Sequence, residues 1–514
     1  MTTRRQFLGS SGSLALLALT GLPAFAQAAE STVRFAIAKA AGDMDPHVYK
    51  GLWGIQDLMY EPLVGYGPGG TLFPVLAESW DLEEDGRLLR FRLRQGVTFH
   101  DGAPWNAAAM KWNLDRWITL EAHSWINHAR LFDGLTILDD HTVEMRFREP
   151  PLALMYEMTY VRPVRFLSPT SVAADGAYKA PVGTGPWQQV SATDVESVFE
   201  AFPGYWGDKP SFNRLEMKVL PDSRSRMTAL RAGEIDVIGG DFLSPVTANE
   251  AQALADAGVA VSIEPGTSIM LGFNTERTPA LADARVRRAI SIGFDRQAIS
   301  TVLYNGYATP AGSMFPPGTP LTGEPYPAEA RDADAARALL EEAGWTGDGI
   351  RQKDGVPLQM ELVVSEEQIA ASRSMGEVIQ AQLGEIGIGI TVRSVDHASR
   401  HSDIPERKFD LAFFRTFGAP YDPYGTMIGY LLSTYENGVD GKLVINVEEL
   451  DPLMTAAFAA TADEAEAKCR WSLNGCVTLR PLRRSCIFPA SGRMGQGWQR
   501  SRPPRRPMTP PMRA

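Results

Sequence analysis

The chain has 514 residues, 44% of them hydrophobic and 22% charged, and carries a formal net charge of −11. That length exceeds what one small core can use and sets two or three domains as the expectation. The composition is that of a soluble globular protein, which excludes a membrane protein or a disordered chain, and the acidic balance gives no support to nucleic-acid binding.

The first residues read as an export signal over 1–29. Thr3-Arg4-Arg5-Gln6-Phe7-Leu8 places paired arginines before an apolar stretch at 14–22, followed by Ala24-Phe25-Ala26 and Ala26-Gln27-Ala28. Those are the charged, apolar and A-x-A parts of a cleavable signal, of the twin-arginine type. The apolar run is too short to span a bilayer comfortably, and no later run is long enough for a transmembrane helix, so the mature protein is expected to be soluble in the periplasm or tethered outside the cell.

Beyond the signal, residues 33–38 alternate as a half-buried strand and 53–60 follow a helical pattern. Residues 76–80 lead to the turn Glu84-Asp85-Gly86, then to strands at 89–94 and 97–102. A helix is expected over 107–120. The loop after it holds His123, Trp125 and His128, and a strand pair follows near 135–138 and 142–147. Pro181-Val182-Gly183-Thr184-Gly185-Pro186-Trp187 is a tight loop, too short and wrongly spaced for phosphate binding. A strand at 214–220 precedes a helix over 223–231 that ends at Gly233, a residue suited to a C-terminal cap.

Beyond residue 266 a second region opens with a strand at 269–274. Helices are expected at 284–294, 334–343 and 373–386, with strands at 359–364 and 389–395. Leu411-Ala412-Phe413-Phe414-Arg415 then has strand character and runs into a Gly/Pro-punctuated loop carrying Phe417, Tyr421 and Tyr424 beside Asp422. A strand that delivers aromatics and a cation to a loop can line a ligand cleft, or it can be an ordinary turn. Mixed strands and helices in two unequal blocks predict an α/β (mixed α+β) protein with two lobes.

The end of the chain differs from its body. Residues 469–514 hold ten Arg, seven Pro, all three Cys and no Asp, Glu or Lys. Removing these ten positive charges and those of Arg4 and Arg5 takes the formal charge from −11 to −23. So abrupt a change reads as a frameshifted ending over 468–514; the alternative is a basic arm for nucleic acid or anionic lipid. Cys469, Cys476 and Cys486 lack the paired spacing of a zinc motif.

No nucleophile elbow, H-E-x-x-H run or framed pair of carboxylates is present, which leaves a secreted hydrolase as a distant alternative and no catalytic residue to name. The chain has seven His, and none stands in a recognisable paired motif.

Together the segments from about 33 to about 467 resemble the peptide/nickel family of solute-binding proteins that feed ABC importers. The resemblance rests on Phe91-Arg92-Leu93-Arg94-Gln95-Gly96-Val97-Thr98-Phe99-His100-Asp101-Gly102, on the loop 181–187, on 205–210, on Gly233-Glu234-Ile235-Asp236, and on Arg285-Val286-Arg287-Arg288-Ala289-Ile290 with Asp295-Arg296. Within the family the likeness is nearest to periplasmic nickel-binding members, through Phe417-Gly418-Ala419-Pro420-Tyr421-Asp422-Pro423, Arg162-Pro163-Val164-Arg165-Phe166 and His123-Ser124-Trp125.

The resemblance implies a two-lobed periplasmic-binding-protein fold of the large type, with an extra subdomain in the first lobe. Lobe I would span 30–266 and lobe II 267–467, with the tail replacing a return to lobe I. It implies that Arg162 grips a carboxylate of a bound nickel chelate and that Trp125, Tyr421, Phe417 and Tyr49 are aromatic positions of the cleft; Trp53 and His123 complete the candidate set. The metal would be transported cargo and not a resident cofactor, and the partners would be the importer's membrane permease subunits, met by a monomer. A family arginine falls on Ala122, and no His follows His401 to act as a direct nickel ligand. An arginine fork with aromatic faces suits an anionic chelate better than a bare ion. A dipeptide or oligopeptide is the alternative, with Asp422 available for its amino end. Arg165 is expected to be a structural ion-pair partner, Asp422 and Pro423 to shape the turn, and His47 to sit in a turn or on the rim.

Overall fold

The computed structural model describes residues 31–431, except 152, 240–245, 264–265, 321 and 323–324, together with residue 452. The expected signal, the basic tail and its three cysteines lie outside the described residues. Within them, the mixed α/β expectation stands.

The alternating strand Thr32–Ile37 is an inner strand of a five-stranded sheet with the order Val237–Ile238, Thr32–Ile37, Arg214–Val219, Glu196–Ala201 and Trp187–Ala192. Its first three strands are parallel and the last two pairs antiparallel. Ile37, Met59, Tyr60, Leu167 and Phe199 close a core under helix Trp53–Met59. A second, antiparallel sheet orders Ala77–Glu83, Leu88–Leu93, Thr142–Phe147 and Phe132–Asp139. Its apolar face packs on helix Ala107–Trp117, through Phe91, Leu93, Met110, Leu114 and Trp117. Asn106 caps that helix by accepting from the Ala109 N–H, which satisfies one of the free amides of the first turn.

Every described strand before residue 239 belongs to these sheets or to the small pair Val64–Tyr66 and Leu72–Pro74; every described strand after 268 belongs elsewhere. The later sheet has the order Ile269–Phe273, Leu411–Arg415, Gln359–Val364 and Gly389–Ser394. Helices Ala284–Gly293, Ala333–Glu342 and Ser372–Gly384 cover it. Leu411–Arg415 is paired on both edges, antiparallel to Ile269–Phe273 and parallel to Gln359–Val364, and its apolar run is buried on both faces, Leu411 and Phe413 in one core and Ala412 and Phe414 in another. No helix among the described residues is long and apolar enough to cross a membrane.

One expected strand is absent. Residues 97–102 form a turn with a single bridge from Thr98 to Pro104, because Val97 and Phe99 bury their side chains in the core without a neighbouring strand to extend a ladder. Conversely, the hairpin of Trp187–Ala192 and Glu196–Ala201 and the helices Ala248–Asp256, Arg296–Tyr304, His397–Asp403 and Tyr424–Leu431 were not expected from the pattern.

The Gly/Pro loop at 181–187 has a packing reason. The Gly185 N–H donates to the Met59 carbonyl at 2.9 Å, and a Cβ at Gly183 would lie 1.9 Å from that same oxygen. Beside it, the buried Glu61 carboxylate accepts from Thr184 Oγ1, Tyr205 Oη and Trp206 Nε1 at 2.8–2.9 Å. Burial still pushes Glu61 above the ordinary carboxylate range, against these donors. Gly183→Ala should therefore force backbone apart at a crossing that cannot yield, with a loss of about 3 kcal/mol; urea unfolding midpoints of the two proteins measure it.

Candidate functional site

Three chain segments converge on one set of side chains. The first is the loop holding Tyr49 and Lys50, just before helix Trp53–Met59. The second runs from the turn Glu121–His123 to Trp125 and is joined by Tyr160 and Arg162. The third is the loop that follows strand Leu411–Arg415.

That last loop is held from inside. Gly418 adopts φ +82°, and the peptides Ala419-Pro420 and Asp422-Pro423 are cis. Asp422 is buried and accepts from the Gly418 N–H at 3.0 Å and from Thr426 Oγ1 at 2.5 Å. Burial raises its carboxyl above the ordinary range, opposed by those hydrogen bonds. It shapes the turn, as expected. Phe417 packs edge-on to Tyr430, with centroids 5.2 Å apart, and remains 40% exposed. The small surface of helix Tyr424–Leu431 makes room for it: a Cβ at Gly425 would meet Phe417 and Tyr421 at 3.3 Å and Trp125 at 3.8 Å.

Tyr421 reaches the second segment. Its hydroxyl accepts from the Arg162 backbone N–H at 3.3 Å, and its ring lies 4.6 Å from Tyr160 and 6.4 Å from Trp125. Trp125 stacks on Tyr160 at 5.7 Å and 14°. Trp125 and Tyr421 therefore form one aromatic surface, backed by the buried Tyr160. Tyr160 was not anticipated in that role, although it stands two residues before Arg162.

Arg162 precedes Pro163 through a cis peptide. Its Nη1 donates to the Lys50 carbonyl at 3.2 Å, and its guanidinium lies 5.9 Å from the Tyr49 ring centre. Nε is buried without a hydrogen-bond partner. No carboxylate of the described residues pairs with Arg162, and burial lowers it below the ordinary guanidinium value, which still leaves it charged at any physiological pH. Arg165 behaves differently: it is buried, ion-paired to Asp57 at 2.7 Å, and donates to the carbonyls of Thr159, Tyr160 and Val164.

Tyr49 is 44% exposed and is held by a chain of buried groups. Arg116 forks onto Asp45 at 2.5 and 2.7 Å and donates to His47 Nδ1 at 2.8 Å. His47 Nδ1 is thus an acceptor, so Nε2–H donates to the Arg165 carbonyl at 3.0 Å. The His47 carbonyl accepts from His123 Nε2–H at 3.1 Å, which leaves His123 Nδ1 to accept from the Tyr49 hydroxyl at 2.9 Å. Trp125 Nε1–H donates to the same hydroxyl at 2.6 Å. Both histidines are neutral in this arrangement. Burial drives His47 down to about 3, with Asp45 opposing and Arg116 adding, and burial also lowers His123.

His47 lies in a turn, as expected, but it is buried and not on the rim, because its ring is held between Arg116 and the Arg165 carbonyl. His123 is buried behind Tyr49 and presents no lone pair to the cleft. Trp53 opens its helix half-buried and joins none of these contacts among the described residues. The structure brings together Tyr49, His123, Trp125, Arg162, Tyr421 and Phe417.

Residues 71–438 match the family described as bacterial extracellular solute-binding proteins, family 5, middle. This chain belongs to that family. A substrate-binding protein of an ABC transporter from Sinorhizobium meliloti is 52% identical, with a TM-score of 0.76 over 87% of this chain and 91% of that one. NikA from Brucella suis, solved in complex with Fe(III)-EDTA, is 30% identical, with a TM-score of 0.80 over 87% and 92%. The nickel-binding periplasmic protein of Escherichia coli K12 is 31% identical over 393 residues, 74% of this chain and 75% of that one. The family 5 fold is two-lobed, and its members are the periplasmic solute-binding components that serve ABC permeases.

His47 also sets a pH dependence. Its folded value lies near 3 and its unfolded value near the usual 6.5, so between these pH values the unfolded chain holds one more proton. Stability is then lost as pH falls through that window, by about 1.4 kcal/mol per pH unit for this group. His47→Gln keeps a donor and an acceptor but does not titrate. Urea midpoints at pH 6, 5 and 4 should fall less steeply in the variant by that amount.

Proposed function

We propose that this family 5 protein captures a small anionic metal chelate, a nickel complex in the first instance, and presents it to the permease of an ABC importer. The observation that carries this reading is Arg162: a half-buried cation with no carboxylate partner among the described residues, set against Tyr49 and at the end of the Tyr421 and Trp125 surface. A guanidinium so placed offers directed N–H donors to a ligand carboxylate, and the ring faces suit the organic body of a chelate. Among the described residues no group of three or more His, Cys, Asp and Glu could hold a bare ion, which favours a metal that arrives already wrapped. Phe417, exposed at the edge of its loop, would close on the ligand from the other lobe, and His123 would act by positioning Tyr49.

The reading includes lobe limits near 30–266 and 267–467, a ligand-linked closure between the lobes, export through the twin-arginine signal, a monomeric state and no catalytic turnover. A peptide ligand would need a free carboxylate for its amino end, and Asp422 is already engaged by Gly418 and Thr426.

Arg162→Ala should weaken binding of a nickel polycarboxylate complex by about 2–3 kcal/mol, or roughly 30- to 150-fold, with an unchanged unfolding midpoint. Arg162→Lys should restore part of the affinity, since charge remains and the fork is lost. Calorimetric titration measures both. Unchanged affinity in Arg162→Ala would overturn the assignment, and native mass spectrometry that found a co-purified peptide and no metal would replace the chelate by a peptide.

A further inference from the structure

The pair Asp295-Arg296, which the sequence singles out and the cleft does not use, stands beside a cavity of about 970 Å³ in the second region. Asp295 caps helix Arg296–Tyr304 through the Ala298 N–H. The cavity is walled by parts of strand Ile269–Phe273, of helices Ala284–Gly293 and Arg296–Tyr304, and of the segment 308–317. That segment carries Pro310, Pro316 and Pro317, which have no N–H to give to a ladder, and it passes the sheet without joining it as a strand. Protein interiors hold few voids larger than a water molecule, whereas ligand pockets run to about 300–1,000 Å³. A space of this size is a pocket and not a packing defect.

Ile299, Met375, Ile379 and Phe413 give it a buried apolar wall, and Ile269 and Tyr307 line it while remaining exposed, so it opens to solvent beside apolar side chains. Most of its polar groups are engaged. Ser300 Oγ donates to the Ala308 carbonyl, the Tyr304 hydroxyl to the Ala370 carbonyl at 3.0 Å and the Tyr307 hydroxyl to Gln252 Oε1 at 2.8 Å. Arg288 grips Glu329 with both Nη atoms, and Arg287 donates to the carbonyls of Leu281 and Ala282. Arg296 differs. Of its five N–H donors, two go to Ser291, to the carbonyl at 2.7 Å and to Oγ at 3.1 Å, and its guanidinium lies 4.5 Å from the Phe294 ring centre. No carboxylate of the described residues pairs with it, and no Asp or Glu stands among the described residues that line the cavity. Burial lowers Arg296 below the ordinary guanidinium value, with Glu329 opposing and Arg288 adding, and it remains charged at any physiological pH.

We propose that this cavity is a second ligand site, taking a small amphipathic anion: one carboxylate or sulfonate on the remaining N–H groups of Arg296, and an apolar chain or ring body against Ile299, Met375, Ile379 and Phe413. The guanidinium supplies charge-assisted hydrogen bonds where it is partly withdrawn from water. A cation is disfavoured by Arg296, which no acidic side chain of the described wall offsets, and a wholly polar anion would be desolvated by the apolar wall without gaining from it. The site is independent of the cleft: none of Tyr49, Trp125, Arg162, Phe417 or Tyr421 lines it.

The test uses the full chain and a dansyl-labelled undecanoate, whose fluorescence rises in an apolar site. One equivalent should bind. Dodecanoate should displace it, while dodecyltrimethylammonium and a nickel polycarboxylate complex should not. Arg296→Gln should weaken the probe by about tenfold or more, and Arg296→Lys by less. Equal displacement by the cation, displacement by the nickel complex, or unchanged affinity in Arg296→Gln would overturn the proposal. A second measurement needs no variant: a diazirine-bearing dodecanoate, photolysed on the protein and mapped by peptide mass, should label residues within 269–273, 296–304 or 308–317, and labelling confined to other parts of the chain would refute the site.

Discussion

A half-buried guanidinium that no carboxylate of the described residues neutralises is the interaction around which the cleft is built. Arg116 and Arg165 are paired with Asp45 and Asp57; among the described residues the Arg162 guanidinium meets the Lys50 carbonyl and the Tyr49 ring and no carboxylate. Withdrawing a charge from water without a partner costs free energy, and such a cost is retained where a ligand later offsets it. On the proposed reading, binding would gain twice, from new charge-assisted hydrogen bonds and from offsetting that desolvation.

Because the cation is fixed, the aromatic groups around it must be fixed too, and the histidines do this from behind. The chain of donors from Arg116 through His47 and His123 to Tyr49 allows one tautomer at each ring and engages the Tyr49 hydroxyl as donor to His123 and as acceptor from Trp125. Its one O–H proton is therefore committed to His123. On the proposed reading, what Tyr49 would chiefly offer a ligand is its ring face. The same chain explains why His47 and His123 resist protonation: a second proton on either ring would have to replace an acceptor with a donor inside a buried network.

How much of this was legible in the sequence depended on whether the signal was local. Helix Ser223–Arg231 was bounded correctly because Asp222 caps it and Gly233 ends it at φ +72°. Strand Gln359–Val364 was plain from its apolar run. The hairpin at 187–201 was missed because its polar residues face solvent and break the alternation, and helix His397–Asp403 because seven residues carry too little period. Residues 97–102 alternated without a partner strand to pair with. At the site, the aromatic loop stood out by type and Arg162 through the family resemblance, whereas the roles of His47, His123 and Tyr160 follow from contacts between residues far apart in the chain, which no local pattern carries.

The charge balance of the cleft narrows what it can hold. Ala122, where the resemblance sets a second arginine, lies exposed in the turn Glu121–His123, so Arg162 stands without it. One guanidinium can neutralise one carboxylate in the fork geometry. A chelate carrying several carboxylates would leave the others to water at the cleft mouth, beside the exposed Phe417, or would lose affinity for each one desolvated without a donor. The match is best for a complex of about one net negative charge with a planar or ring-bearing body that fills the space between Tyr49, Trp125 and Tyr421. On the proposed reading, selectivity among chelates of one metal would come from the organic wrapping, and the metal would be read through the shape and charge it gives that wrapping.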